Sequence, residues 1–138
     1  MSPDRRLVHS GGVFRIAFAR DREGSYPGEE FFDQLSIGDK AKLMNLFRIL
    51  GDHGKHSNPE KFGDLEDGLY EFKSFQIRMP YAYAKNEKGL VLISHGFFKK
   101  SPKAPKAEIE RARMILNDDF TASKVCAINE QNTKRERP

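Results

Sequence analysis

The chain has 138 residues, 38% of them hydrophobic, 32% charged and 11% aromatic, which describes one globular domain with a single core and excludes both a disordered chain and a pair of domains. The formal charge is +4 and the pI about 9.2, an excess that matters only where the cations gather. The single cysteine, Cys126, excludes an internal disulfide and a cysteine-based zinc site, and with no secretory leader or membrane-length apolar run the expected location is the cytoplasm.

Residues 1–12, with Pro3, several charges and the Gly11-Gly12 pair, offer little to bury and are expected to be a flexible arm. Residues 13–19 set Val13, Ile16 and Phe18 among small or polar neighbours and predict the first strand. A charged loop, 21–28, leads to a short helix over 29–34 with Phe31, Phe32 and Leu35 inward. Ser36 is placed as the N-cap of a longer helix reaching about Asp52, in which Leu43, Met44, Phe47 and Leu50 share a face widened by Leu46 and Ile49. Gly51 and Gly54 stop it.

Residues 55–67 read as a loop carrying Lys55, His56 and Lys61 within reach of a ligand. Three strands follow, over 68–73, 76–84 and 89–99, the last two joined by a turn at 85–89. Pro80 inside the second predicts a bulge, a bend or an edge there. The unbroken run from Leu90 to Ile93 is that of a strand buried on both faces, and Ser101, Pro102 and Pro105 end it. A helix over 106–117 turns Ile109, Ala112, Ile115 and Leu116 inward, Phe120, Val125 and Ile128 suggest one more packed turn, and 129–138 is expected to fray. The order β-α-α-β-β-β-α predicts an α+β fold, a small mostly antiparallel sheet with helices packed on it. It makes a single domain over 13–120 and a partly disordered extension over 121–138.

His9, His53, His56 and His95 stand at no standard metal-ligand spacing, and neither a phosphate-binding glycine loop nor a nucleophile elbow is present, so no metal or cofactor is expected. What remains is basic. Lys99, Lys100, Lys103, Lys106, Arg111 and Arg113 are opposed between positions 99 and 113 only by Glu108 and Glu110. Strand alternation turns Lys73 away from Phe72 and Arg78 away from Ile77, so these cations on neighbouring strands join Lys99 or Lys100 in one concave site. Tyr81 and Tyr83 share a face nearby if Pro80 leaves the register unshifted. Metal-free RNA cleavage needs such a set: a base for the 2′-hydroxyl, cations at the phosphorus, an acid for the 5′-oxygen and aromatics for the bases. Arginine clamps phosphate with two parallel hydrogen bonds, and a lysine crowded by other cations can move a proton. Equally, Lys73 and Arg78 read as exposed strand residues and the tyrosines as packing. His95, among apolar neighbours, reads as structural.

Gly68-Leu69-Tyr70-Glu71-Phe72-Lys73, Gln76-Ile77-Arg78, His95-Gly96-Phe97-Phe98-Lys99-Lys100 and the passage from Ala104-Pro105 into Glu108-Ile109-Glu110-Arg111-Ala112 resemble the phage-derived HigB-like group of the RelE/ParE toxin superfamily. The resemblance implies the type II toxin of a toxin–antitoxin pair, an endoribonuclease that cleaves messenger RNA on the ribosome and is held in a heterocomplex by a helix-turn-helix antitoxin. It implies catalytic roles for Lys73, Arg78, Lys99 and Lys100. RNA contacts would come from Lys61, Tyr83, Phe98, Lys103 and Arg111, with Tyr83 or Phe98 stacking a base. Lys73 departs from the arginine many members carry and keeps the charge without the fork. Because part of the superfamily poisons DNA gyrase, a gyrase inhibitor using the 43–50 helix or the C-terminal region as its contact surface stays open, as does a non-toxic RNA- or partner-binding module.

Overall fold

A computed structural model describes residues 5–54, 58–102 and 105–136, with side chains as far as Lys124. The elements are β1 (Arg6–Ser10), β2 (Arg15–Phe18), α1 (Pro27–Asp33), α2 (Ile37–His53), β3 (Phe62–Asp64), β4 (Tyr70–Ser74), β5 (Ile77–Tyr83), β6 (Leu90–Ile93), β7 (Phe97–Phe98) and α3 (Lys106–Glu136). They form the expected α+β fold around one sheet ordered β1-β2-β6-β5-β4-β3, with β7 added to β5. Of the described pairings only β2 with β6 is parallel.

The sheet is covered on both faces, which is why β6 is apolar at every position. On one side α2 starts where Ser36 Oγ accepts the Asp39 amide at 3.2 Å, and buries Leu43, Leu46, Phe47 and Leu50 against Ile16, Phe18, Phe72, Met79, Tyr81, Val91 and Ile93. On the other, Ile115 and Leu116 of α3 meet Ala17, Ala19, Leu90 and Leu92. Removing these side chains from water at ~25 cal/mol per Å² is what holds both layers to the sheet.

Four features differ from the expectations. The arm is ordered from β1 onward: Arg6 to Ser10 pair antiparallel with β2, Val8 packs on the core, and the Gly51 carbonyl accepts Val13 and Phe14 amides at 2.9 and 2.8 Å. Gly11 allows this approach, since a Cβ there would meet Gly51 backbone atoms. The 55–67 loop contains β3, which pairs with β4; Lys55 and His56 lie outside the described residues. The strand expected over 89–99 is broken at Ser94 into β6 and β7, which pair with different parts of β5.

Pro80 explains that break. The Tyr70↔Tyr81 to Ser74↔Ile77 register with β4 runs through it unshifted, so the irregularity falls on its other neighbour. The Pro80 carbonyl accepts both the amide (2.9 Å) and hydroxyl (3.2 Å) of Ser94, and the proline nitrogen, on the same side, has no hydrogen to donate. The facing strand therefore leaves the ladder between Ile93 and Phe97. Finally, α3 continues to Glu136 as one helix of 31 residues, so the last turn expected after Asn117 is part of it; the side chains of Val125 and Ile128 lie outside the described residues. No described helix is long and apolar enough to cross a membrane.

Candidate nucleic-acid interface

Phe72, Met79 and Tyr81 face α2, so alternation turns Glu71, Lys73 and Arg78 to the opposite side of β4 and β5. Lys73 and Arg78 are direct cross-strand partners. Glu71 and Lys73 extend over Gly63 of β3, where an added Cβ would stand 3.0 Å from the Glu71 side chain and 3.4 Å from that of Lys73. From the other neighbour, Phe97 pairs with Arg78 and the Lys99 amide donates to the Gln76 carbonyl at 2.7 Å. Gln76, Arg78, Lys99, Lys100, Ser101 and Pro102 thereby line an open cleft of about 330 Å³. Phe97, Phe98, Pro105 and Glu108 share a depression of about 210 Å³ with the same two lysines.

Arg78 is held by its backbone surroundings. Its Nη1 donates to the carbonyls of Phe75 (2.6 Å) and Ile77 (2.9 Å), while its Nε is shielded from solvent with no hydrogen-bond partner. A shielded donor without an acceptor costs about 1–3 kcal/mol. Burial pushes the Glu71 carboxyl above its ordinary pKa, against the opposing pull of Arg78, then Lys73, then Lys99. A carboxylate so raised, in contact with three cations' fields, suits a proton-accepting role.

His95 is different. It is 1% exposed, its Nδ1 lies 3.0 Å from Ser94 Oγ, its Nε2 is 3.5 Å from Glu108 Oε1, and its ring stacks on Phe97. Burial, helped by the Arg111 charge, lowers its pKa to about 4, so the ring is neutral at pH 7 and packed as a structural histidine.

The fold thus brings Lys73, Arg78, Lys99 and Lys100 to one rim. Phe98, half exposed at 51%, lies beside them with its ring against Phe31 at 5.2 Å. Lys61 borders Lys73, whose amide donates to the Lys61 carbonyl at 2.8 Å. Tyr83 is not brought there: at an odd spacing from Arg78 it points to the other face, packed on Phe14 and Tyr70. Arg111 stands on α3 close to His95 and outside the cleft lining. Lys103 is outside the described residues. Among the described residues no three His, Cys, Asp or Glu side chains gather as a metal site would require.

Two residues of this rim escaped the sequence. Glu71 had a readable signal, since it stands two positions before Lys73 on the same strand face. Phe75 had none, because an aromatic between two strands looks like core.

A family model described as phage-derived protein Gp49-like (DUF891) matches residues 30–117. That stretch runs from α1 into α3 and contains every residue of the cleft, while β1 and β2 lie before it. No curated protein matches the chain.

Proposed function

The chain belongs to the Gp49-like family of phage-derived proteins, and on that premise we propose that it is the toxin of a type II toxin–antitoxin pair, an endoribonuclease that cuts messenger RNA, on the ribosome, without a metal. The observation that supports this reading is the open cleft that Arg78 lines together with Lys99 and Lys100, with Lys73 as its direct cross-strand partner.

In this reading Arg78 and Lys73 bind the non-bridging oxygens of the scissile phosphate, where negative charge grows as phosphorus becomes pentacoordinate. Glu71 takes the proton of the attacking 2′-hydroxyl. Lys99 or Lys100 gives a proton to the departing 5′-oxygen, leaving a 2′,3′-cyclic phosphate and a 5′-hydroxyl. Phe98 stacks on an adjoining base. A helix-turn-helix antitoxin neutralises the protein by laying an acidic or occluding segment over this cationic cleft.

Expression of the wild type and of Arg78→Ala in a bacterium, with messenger RNA 5′ ends mapped after induction, tests the proposal. The variant is expected to lose cleavage by roughly 100-fold or more, the usual cost of removing one charge-stabilising group. Undiminished cleavage by the variant would remove Arg78 from the mechanism. Growth arrest with intact transcripts would sink the ribonuclease reading in favour of a non-nucleolytic target.

A further inference from the structure

At the turn between β4 and β5 the chain places Phe75, 72% exposed, with a φ of +55°. That left-handed conformation suits glycine or asparagine and strains a bulky side chain. Neither burial nor backbone preference therefore accounts for a benzyl group here. Its surroundings point to a ligand. Lys42 Nζ, from exposed α2 surface, lies 4.2 Å from the ring centroid and Lys61 Nζ 5.9 Å. The Phe75 carbonyl takes the Arg78 guanidinium, and the next carbonyl, of Gln76, takes the Lys99 amide. One strained turn thus joins an open aromatic ring to two residues of the cleft by a hydrogen bond each.

We propose that Phe75 is a stacking platform for a base of single-stranded RNA, with Lys42 and Lys61 holding the phosphates beside that base as the strand crosses the sheet edge into the Arg78 cleft. The proposal deepens the ribonuclease reading and rests on it. An apolar side chain of a partner protein would also cover the ring, but two lysines over one exposed aromatic match a polyanion whose every unit carries a π face. The ring lies on the α2 side of the turn and Arg78 on the α3 side, so the bound strand wraps the edge instead of lying on one face.

A short single-stranded RNA carrying 2-aminopurine, whose fluorescence falls on stacking, tests this with the full chain. Wild type quenches the probe. Phe75→Gly abolishes the quench and weakens binding ~10-fold, within the range for loss of one base–aromatic stack, while its melting temperature rises because the φ strain is relieved. Phe75→Trp keeps the quench. Unchanged quenching and affinity in Phe75→Gly, with cleavage lost in Arg78→Ala, would overturn the platform and leave the cleft reading standing. Loss of quenching in Phe75→Gly with full cleavage by Arg78→Ala would keep the platform and remove the cleft reading. If Phe75→Gly binds the RNA normally but escapes neutralisation by a co-expressed antitoxin, the ring belongs to a protein partner and the proposal falls.

Discussion

Glu71 and His95 are pushed by burial in opposite directions on the pH scale. The Glu71 carboxyl, raised above its ordinary 4.5, holds its proton more tightly in the fold than in the unfolded chain. Its stabilising contribution is complete below that value and is lost as pH rises through the folded pKa. As the proposed base it must be ionised, so cleavage should rise with pH along a limb centred above 4.5. Glu71→Gln is expected to lose that limb and to slow cleavage ~100-fold, read from kcat/KM against pH with a defined RNA. For His95 the folded pKa, about 4, lies below the ordinary 6.5. Its stability is then fully present above pH 6.5 and is lost as pH falls toward 4 and the ring, facing Ser94, Glu108 and Arg111, is forced to charge. The full loss is about 3 kcal/mol. Urea unfolding at pH 7 and pH 4.5 should show a smaller difference for His95→Asn than for the wild type; an equal difference would deny His95 this role.

At the scale of the element, α2 and β7 show how short signals fix long-range placement. Ser36 both begins α2 and satisfies the Asp39 amide, and that helix carries four of the core's buried side chains as well as Lys42. Ser36→Ala should cost ~1 kcal/mol in denaturant unfolding, with the cleft untouched because none of its lining residues lies on α2. The two residues of β7 do comparable positional service. By rejoining β5 below Pro80 they deliver Lys99 and Lys100 to the same rim as Arg78, where a continuous strand in the Ile93 register would have carried them elsewhere.

Across the whole molecule, the sheet separates two tasks. Around β5, with β4 and β7 on either side of it, lies the cation-lined rim. At the opposite side the residues flanking β1 and β2 are tied to α3 through Asp119, 2% exposed, whose two carboxylate oxygens both accept from Arg5 Nη1 at 2.7 Å and one of which accepts the Arg20 amide at 2.8 Å. Arg5 also donates to Ser123 at 2.8 Å. Removing one partner of so shielded a pair strands a charge, so Asp119→Ala should cost ~3 kcal/mol or more in thermal unfolding. RNA cleavage per folded molecule should hold, since β6 stands between β1 and β2 beside the tie and β5, which carries Arg78.

Periodicity and punctuation in the chain were sufficient for the fold class, for α2 with its cap and stop, for the both-sides burial of Leu90 to Ile93, and for the common facing of Lys73 and Arg78. All of these are local: a cap, a 3.6-residue face or a two-residue alternation is complete within a few positions. The rest depended on contacts between distant parts. β1 is a strand because β2 pairs with it and His9 meets Asp52 of α2, and the charged, glycine-ended stretch around it reads by itself as an arm. Tyr83 lies across the sheet from Arg78 by the same alternation, but that Pro80 leaves the register unshifted was decided only by the pairing with β4. Glu71 acquired its raised pKa, and Arg78 its unpartnered Nε, only when strands from three parts of the chain closed around them. Burial and electrostatic coupling are properties of that enclosure, so tertiary structure alone decided them.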